Sequence, residues 1–300
     1  MYMEMSMQTQ RIRRSFLYTP GSDRRKMEKA LTLDCDGVIF DLEDAVSPNQ
    51  KEAARDTVAA LLRECGRSER KELLVRVNQV ATSLGVQDIL AIVPSMPDTL
   101  IIPKACPRDI TTADVIISGI EASLGMAPNS VGIIPLIETA EGVETLSEIL
   151  RTTKRITGVQ LGAEDLTKEL GVTRTKAGAE IAYVRNRLAL AARAAGVDGI
   201  DTPFADYSDE ENLVADINYC KSIGLTAKTA IHPAQIRHIN AAFTPTEAEV
   251  AEAKAIVDVY RDAVAKGLGA CTFNGKMIDV PIAERAERVL HKASALSLTL

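Results

Sequence analysis

The feature that most constrains this chain is a repeat of eight short β-branched runs, separated by stretches of helical character. The runs are Ser15–Thr19, Val38–Glu43, Leu73–Asn78, Leu100–Lys104, Val131–Glu138, Ile156–Ala163, Gly199–Phe204 and Ala227–His232. Helix-start chemistry lies between them. Ser47-Pro48 puts an N-cap and a first-position proline ahead of Lys51–Leu62, and Ser208 precedes the acidic first turn Asp209-Glu210-Glu211. Strands alternating with helices imply either a doubly wound sheet or a (β/α)8 barrel. Eight repeats with no glycine-rich dinucleotide fingerprint favour the TIM barrel.

Composition agrees with one large core. The chain has 300 residues, 46% of them hydrophobic and 25% charged. That length is often two domains, yet α/β barrels of this size are commonly single units. A net charge of −6 lacks the basic footprint of a general nucleic-acid binder. No apolar stretch is long enough to cross a bilayer. The first ten residues, M-Y-M-E-M-S-M-Q-T-Q, have no signal-peptide pattern and read as a loose tail. Five scattered cysteines without CxxC spacing read as reduced thiols in a cytoplasmic protein, and not as a zinc site.

After residue 240 the rhythm changes. Thr246-Glu247-Ala248-Glu249 is a capping box opening a long helix, Asn274-Gly275 is a type I′ hairpin pair, and Val280-Pro281 starts a last helix. The expected organisation is a catalytic barrel over residues 1–240 with a helical and hairpin extension over 241–300.

In a barrel, polar residues at the C-terminal strand ends face the active site. Here the apolar runs end in Glu43, Asn78, Lys104, Glu138, Asp165 and His232. The run Val38-Ile39-Phe40 leads straight into Asp41, Glu43 and Asp44, and so many carboxylates at one strand end need a nearby positive charge. Glu138 and Asp165 end consecutive strands, so they lie side by side on one rim. That pairing suits a hard divalent cation such as Mg2+, whereas the plainer role for each is to cap the helix that follows it. Arg76 shares a strand face with Leu74 and Asn78. If that face is the interior, its guanidinium must meet an anion. The anion is either Asp41 or Glu43 in a structural pair, or an enolate or carboxylate of a substrate. Pro20-Gly21-Ser22 turns into a helix start crowded by Arg24, Arg25, Lys26 and Lys29, which hints at a phosphate-bearing ligand, against the simpler reading of a solvated face. His232 is either a ligand or a hydrogen-bonded structural histidine.

The stretches R-R-S-F-L-Y-T-P-G-S, V-I-F-D-L-E-D-A-V, L-V-R-V-N, I-I-P-L-I-E-T-A, L-G-A-E-D-L, A-I-H-P-A-Q-I and N-G-K-M-I-D-V-P span nearly the whole chain in order. Together they make it resemble the citrate lyase β-subunit-like branch of the aldolase/citrate lyase superfamily, which includes malyl-CoA and citramalyl-CoA lyases. The resemblance implies a TIM barrel in a homotrimer or hexamer, using Mg2+ (or Mn2+) and an acyl-CoA or acyl-carrier thioester. Glu138 and Asp165 fall on the family's metal ligands, and Arg76 on its enolate-stabilising arginine. Asp279 matches an acid that reaches a neighbouring subunit's site, where it would move a proton to or from the enolate carbon; by spacing alone it is an N-cap before Pro281. Tyr18, Arg25 and Lys29 fall in the region that contacts CoA. The more distant pyruvate aldolases carry a histidine where this chain has Asp44, a departure that favours the thioester lyases.

The activity so implied is cleavage or formation of a 3-hydroxy-acyl-CoA, such as citramalyl-CoA or malyl-CoA, to acetyl-CoA and a 2-oxo acid. The alternatives are the β subunit of a citrate lyase complex acting on a carrier-protein thioester, and a metal-dependent aldolase of free hydroxy-keto acids. The acids that follow Phe40 then acquire roles. Asp41 and Glu43 point into the barrel mouth toward Arg76, with Glu43 bonding metal-bound water and Asp44 beside it in the substrate site.

Overall fold

The computed structural model describes residues 11–68 and 70–298. The first ten residues, read above as a tail without a signal, lie outside that range. The chain forms two compact units, one over Arg13–Asn240 and the other over Ala241–Leu300 with the segment ending at Ile12.

The larger unit is a closed barrel of eight parallel strands in sequence order. They are β1 (Ser15–Pro20), β2 (Gly37–Asp41), β3 (Glu72–Arg76), β4 (Thr99–Ile102), β5 (Gly132–Ile137), β6 (Gly158–Leu161), β7 (Asp198–Asp201) and β8 (Ala227–Ala230). The barrel closes through β1 and β8, with Leu17 opposite Ala230. Ten helices follow in chain order: α1 (Arg24–Leu31), α2 (Lys51–Cys65), α3 (Ser83–Ile92), α4 (Pro107–Ser123), α5 (Ala140–Glu144), α6 (Leu146–Ile149), α7 (Ala163–Leu170), α8 (Ala182–Ala195), α9 (Glu210–Ser222) and α10 (Ile236–Phe243).

Strand alternation sorts the side chains. Phe16, Ile39, Leu74, Ile101, Ile134, Leu136, Ile200 and Ala227 pack together as one cluster. The residue two places on from Phe16, Ile39, Leu74 or Leu136 lies on the same face, one step nearer the C-terminal rim. Those residues are Tyr18, Asp41, Arg76 and Glu138. The apolar plug thus gives way to a polar floor within one pleat repeat.

Most strands stop short of their predicted C-terminal ends. β2 ends at Asp41, β3 at Arg76, β4 at Ile102 and β8 at Ala230, each two residues early. The ladder fails where the chain must turn outward to its helix, so Glu43, Asn78, Lys104 and His232 sit in the rim loops. β6 ends at Leu161, and Gly162 caps α7, so Asp165 belongs to the first helical turn and not to a strand. An acid there also suits the helix dipole.

The smaller unit contains α11 (Glu247–Ala265), a hairpin of β9 (Cys271–Phe273) and β10 (Lys276–Ile278), and α12 (Val280–Ala295). Thr246 and Glu249 form the expected capping box. Asn274 and Gly275 have φ of 47° and 75°, the left-handed pair that a type I′ turn requires. Ala253, Val257 and Ala286 pack α11 against α12. No helix among the described residues is long and apolar enough to cross a membrane.

Candidate active site at the barrel mouth

The C-terminal mouth holds a cavity of about 420 Å³ lined by Tyr18, Asp44, Arg76, Glu138, Gln160 and Asp165 among others. Of the residues singled out in the sequence, the fold brings Tyr18, Glu43, Asp44, Arg76, Glu138 and Asp165 to this mouth. Arg25 and Lys29 lie exposed on α1 and do not line it. Asp279 caps α12 in the smaller unit, its carboxylate accepting from the Ile282 amide at 3.4 Å.

Asp41 answers the first electrostatic demand. It takes the Arg76 guanidinium bidentately, with Nε and Nη2 at 2.8 and 2.6 Å. It also accepts from the amides of Glu43 at 2.9 Å and Ala45 at 3.1 Å. The structural ion pair foreseen for Arg76 is therefore real, and it is what aims the guanidinium. Arg76 Nη1 stays directed at Glu43 (3.0 Å) and Asp44 (3.5 Å). The Tyr18 ring lies under the guanidinium at 5.1 Å, and Gln160 donates to the Tyr18 hydroxyl at 2.8 Å. Burial pushes the Tyr18 phenol up and keeps it neutral. Lys51 secures the acidic loop by donating to the carbonyls of Leu42 and Glu43.

The second cation is Lys104, which the sequence places at a strand end without assigning it a role. Its ammonium reaches Glu43 at 3.1 Å, Asp165 at 3.1 Å and Glu138 at 3.8 Å. Its own amide donates to Glu138 Oε1 at 2.8 Å. Lys104 adopts φ of 46°, a left-handed conformation uncommon for a residue with a long side chain. A sequence signal existed in the lysine that ends an otherwise apolar run, but its partners are distant in the chain.

Burial dominates the acids of this mouth. It pushes Glu138 up to about 8, with Glu43 adding to the rise and Lys104 and Arg76 opposing it. Burial raises Glu43 as well, and neighbouring Asp44 adds to that while Arg76 and Lys104 pull it down. The mouth therefore favours added positive charge. Glu138 and Asp165 both reach the one position held by the Lys104 ammonium, and all the donors are hard oxygens. A Cβ at residue 162 would stand 2.6 Å from Glu138 Oε2, so the absence of a side chain at Gly162 keeps room for that oxygen. The residues fit a divalent cation of the Mg2+ type.

Two other expectations resolve differently. His232 accepts from the Ala234 amide at 3.2 Å and stacks on Tyr207 with centroids 4.4 Å apart, which is a structural role. The turn ahead of α1 is not an open anion site. Gly21 donates to the Asp41 carbonyl, and the Asp23 carboxylate caps the helix by accepting from Lys26. Arg24 is paired with Glu28 and Glu64, and Lys26 with Asp23.

A closed parallel barrel whose mouth joins hard oxygen donors to an oriented arginine defines a TIM-barrel enzyme with an acid-rich mouth. The chain belongs to the HpcH/HpaI aldolase/citrate lyase family, which matches residues 14–233. It is 34% identical over 286 residues to the citrate lyase subunit beta of Haemophilus influenzae, covering 95% of this chain and 98% of that protein. It is 30% identical to the mitochondrial citramalyl-CoA lyase of Rattus norvegicus, covering 95% of this chain and 87% of the relative. Among solved structures, the CitE protein of Mycobacterium tuberculosis in complex with magnesium, acetoacetate and coenzyme A is similar with a TM-score of 0.76. The identity is 30%, covering 94% of this chain and 98% of that one. The chain is a carbon–carbon lyase of the citrate lyase β type.

Proposed function

We propose that this chain is a Mg2+-dependent lyase that cleaves, or forms, a 3-hydroxy-acyl-CoA thioester such as citramalyl-CoA or malyl-CoA, giving acetyl-CoA and a 2-oxo acid. The observation that carries the reading is the convergence of Glu43, Glu138 and Asp165 on one cation position beside Arg76. The relatives' names support the reaction class, and the magnesium and coenzyme A in the similar structure support the cofactor and the thioester.

Glu138 and Asp165 would hold the metal. When bound, Mg2+ supplies Lewis acidity to the substrate's carboxylate and hydroxyl oxygens. Transfer of the hydroxyl proton to solvent water would release a 2-oxo acid as the carbon–carbon bond breaks, and the bonding electrons would pass to the thioester as an enolate. Arg76, locked by Asp41, presents positive charge to that enolate without reorganising. Asp44 and Glu43 hold the other side of the guanidinium, and Tyr18 closes the floor beneath it. Asp279, delivered by the extension of a neighbouring copy in a trimer or hexamer, would protonate the enolate carbon. Arg25 and Lys29 remain candidates for the CoA phosphates on the exposed face of α1.

The purified chain is assayed with Mg2+ on malyl-, citramalyl-, methylmalyl- and citryl-CoA for release of glyoxylate, pyruvate or oxaloacetate. Turnover of a free CoA ester is expected. Activity confined to a carrier-protein thioester would favour the citrate lyase β-subunit reading that the Haemophilus relative supports. Glu138→Ala and Asp165→Ala should each lower turnover by about a thousandfold or more while leaving the circular dichroism unchanged. Full activity after exhaustive chelation would sink the metal role.

A further inference from the structure

We infer that Lys104 is a built-in competitor for the divalent cation: its ammonium neutralises the mouth acids and weakens metal binding. This rests on the reading of Glu138 and Asp165 as the metal ligands.

The geometry points this way from two directions. First, the ammonium contacts both carboxylates that would hold a metal. It lies 3.1 Å from Asp165 Oδ2 and 3.8 Å from Glu138 Oε1, with Glu43 Oε1 at 3.1 Å. A divalent ion drawing on Glu138 and Asp165 must displace this charge or sit against it, and like charges at that separation repel. Second, the lysine is held in place by its backbone. The left-handed conformation at residue 104 lets one residue donate its amide to Glu138 and its ammonium to Glu43 and Asp165. Strain of this kind persists where surrounding structure over-determines it, and here the Glu138 and Glu43 contacts do so. A tethered cation keeps several carboxylates assembled when no metal is bound.

The ammonium stands among three carboxylates, and its influence follows from that position.

The test is calorimetric titration of Mg2+ into chelator-treated full-length protein, wild type against Lys104→Met and Lys104→Arg, with thermal melts of each protein in EDTA and in saturating Mg2+. Lys104→Met removes the charge while keeping an unbranched apolar stem. The expected result is a Kd tightened about tenfold in Lys104→Met and little changed in Lys104→Arg, with a larger Mg2+-induced rise in Tm for Lys104→Met than for wild type. Should Lys104→Met unfold in EDTA but refold with Mg2+, the metal has taken over the lysine's role, as the inference requires. An equal or weaker Kd in Lys104→Met overturns the competition while leaving the metal site standing. So does a variant that stays unfolded even with Mg2+, provided Lys104→Gln behaves the same way. Absence of Mg2+ binding in both wild type and Lys104→Met overturns the metal reading together with the inference.

Discussion

Asp41 is satisfied on every side, and that sets its role apart from that of its acidic neighbours. Two amides and a bidentate guanidinium converge on it. Removing it would leave Arg76 without its bidentate partner and release the loop carrying Glu43 and Asp44. Asp41→Ala is expected to destabilise the fold by about 3–5 kcal/mol, read from urea denaturation, and to lower kcat more than it raises KM. Gly162 makes a different demand. A methyl there would press on Glu138, so Gly162→Ala should weaken Mg2+ affinity about ten- to a hundredfold in a titration, with the barrel's circular dichroism retained. The sequence already told that Asp41 and Glu43 share a face and need a cation. It did not tell which acid is locally satisfied and which stays open, because Arg76 is 35 residues from Asp41 and Lys104 is 61 from Glu43.

At the scale of elements, the strands were readable from their β-branched runs, and their rim ends were not. An apolar run does not announce where the ladder to both neighbours fails, and Gly162 converts the end of β6 into a helix start within one residue. The helix caps were legible in part. Thr246 with Glu249 needs only local contacts, whereas Ser47 makes no side-chain cap bond and Gln50 precedes α2. Asp209 is the cap of α9, with only Glu210 and Glu211 as acids in its first turn. Asp279 can be tested as cap and as catalyst separately. Asp279→Ser keeps a capping oxygen and should cost less than about 0.5 kcal/mol in stability, whereas Asp279→Ala should cost about 1 kcal/mol. If the acid moves a proton, both variants lose hydrogen exchange at the α-carbon of acetyl-CoA. Normal exchange in Asp279→Ser would leave it a cap only. If the extension serves a neighbour's mouth, mixing Asp279→Ala with Glu138→Ala protein should restore part of the activity that neither has alone.

The barrel as a whole is sealed by charge clusters as well as by its core. Arg13 reaches Glu72 on β3, the Thr157 carbonyl and Asp198 on β7. Between β7, β8, α8 and α9, the buried side chains of Asp201, Asp216, Arg185 and Lys228 neutralise one another. Burial alone would raise the Asp201 carboxyl, but Lys228 and Arg185 outweigh it and hold it well below the ordinary carboxylate range. A carboxyl depressed in the folded state stabilises above its unfolded value and loses that contribution as pH falls. Stability in urea should therefore decline as pH drops below about 4, more steeply in wild type than in Asp201→Asn. Equal slopes would show that the group contributes nothing to acid lability. Lys228→Met should cost about 3–5 kcal/mol at neutral pH, since it strands two buried carboxylates beside a single arginine. By itself the sequence determined the eight-fold alternation, the parallel barrel and the acidic character of its mouth, because strand period and helix caps depend on near neighbours. Only the tertiary structure decided that Asp41 aims Arg76, that Asp165 stands on a helix, and that Lys104 occupies the meeting point of Glu43, Glu138 and Asp165. The ion pairs join residues tens of positions apart in the chain, and the parallel pairing of β2 with β3 and of β4 with β5 is what brings those strand ends side by side.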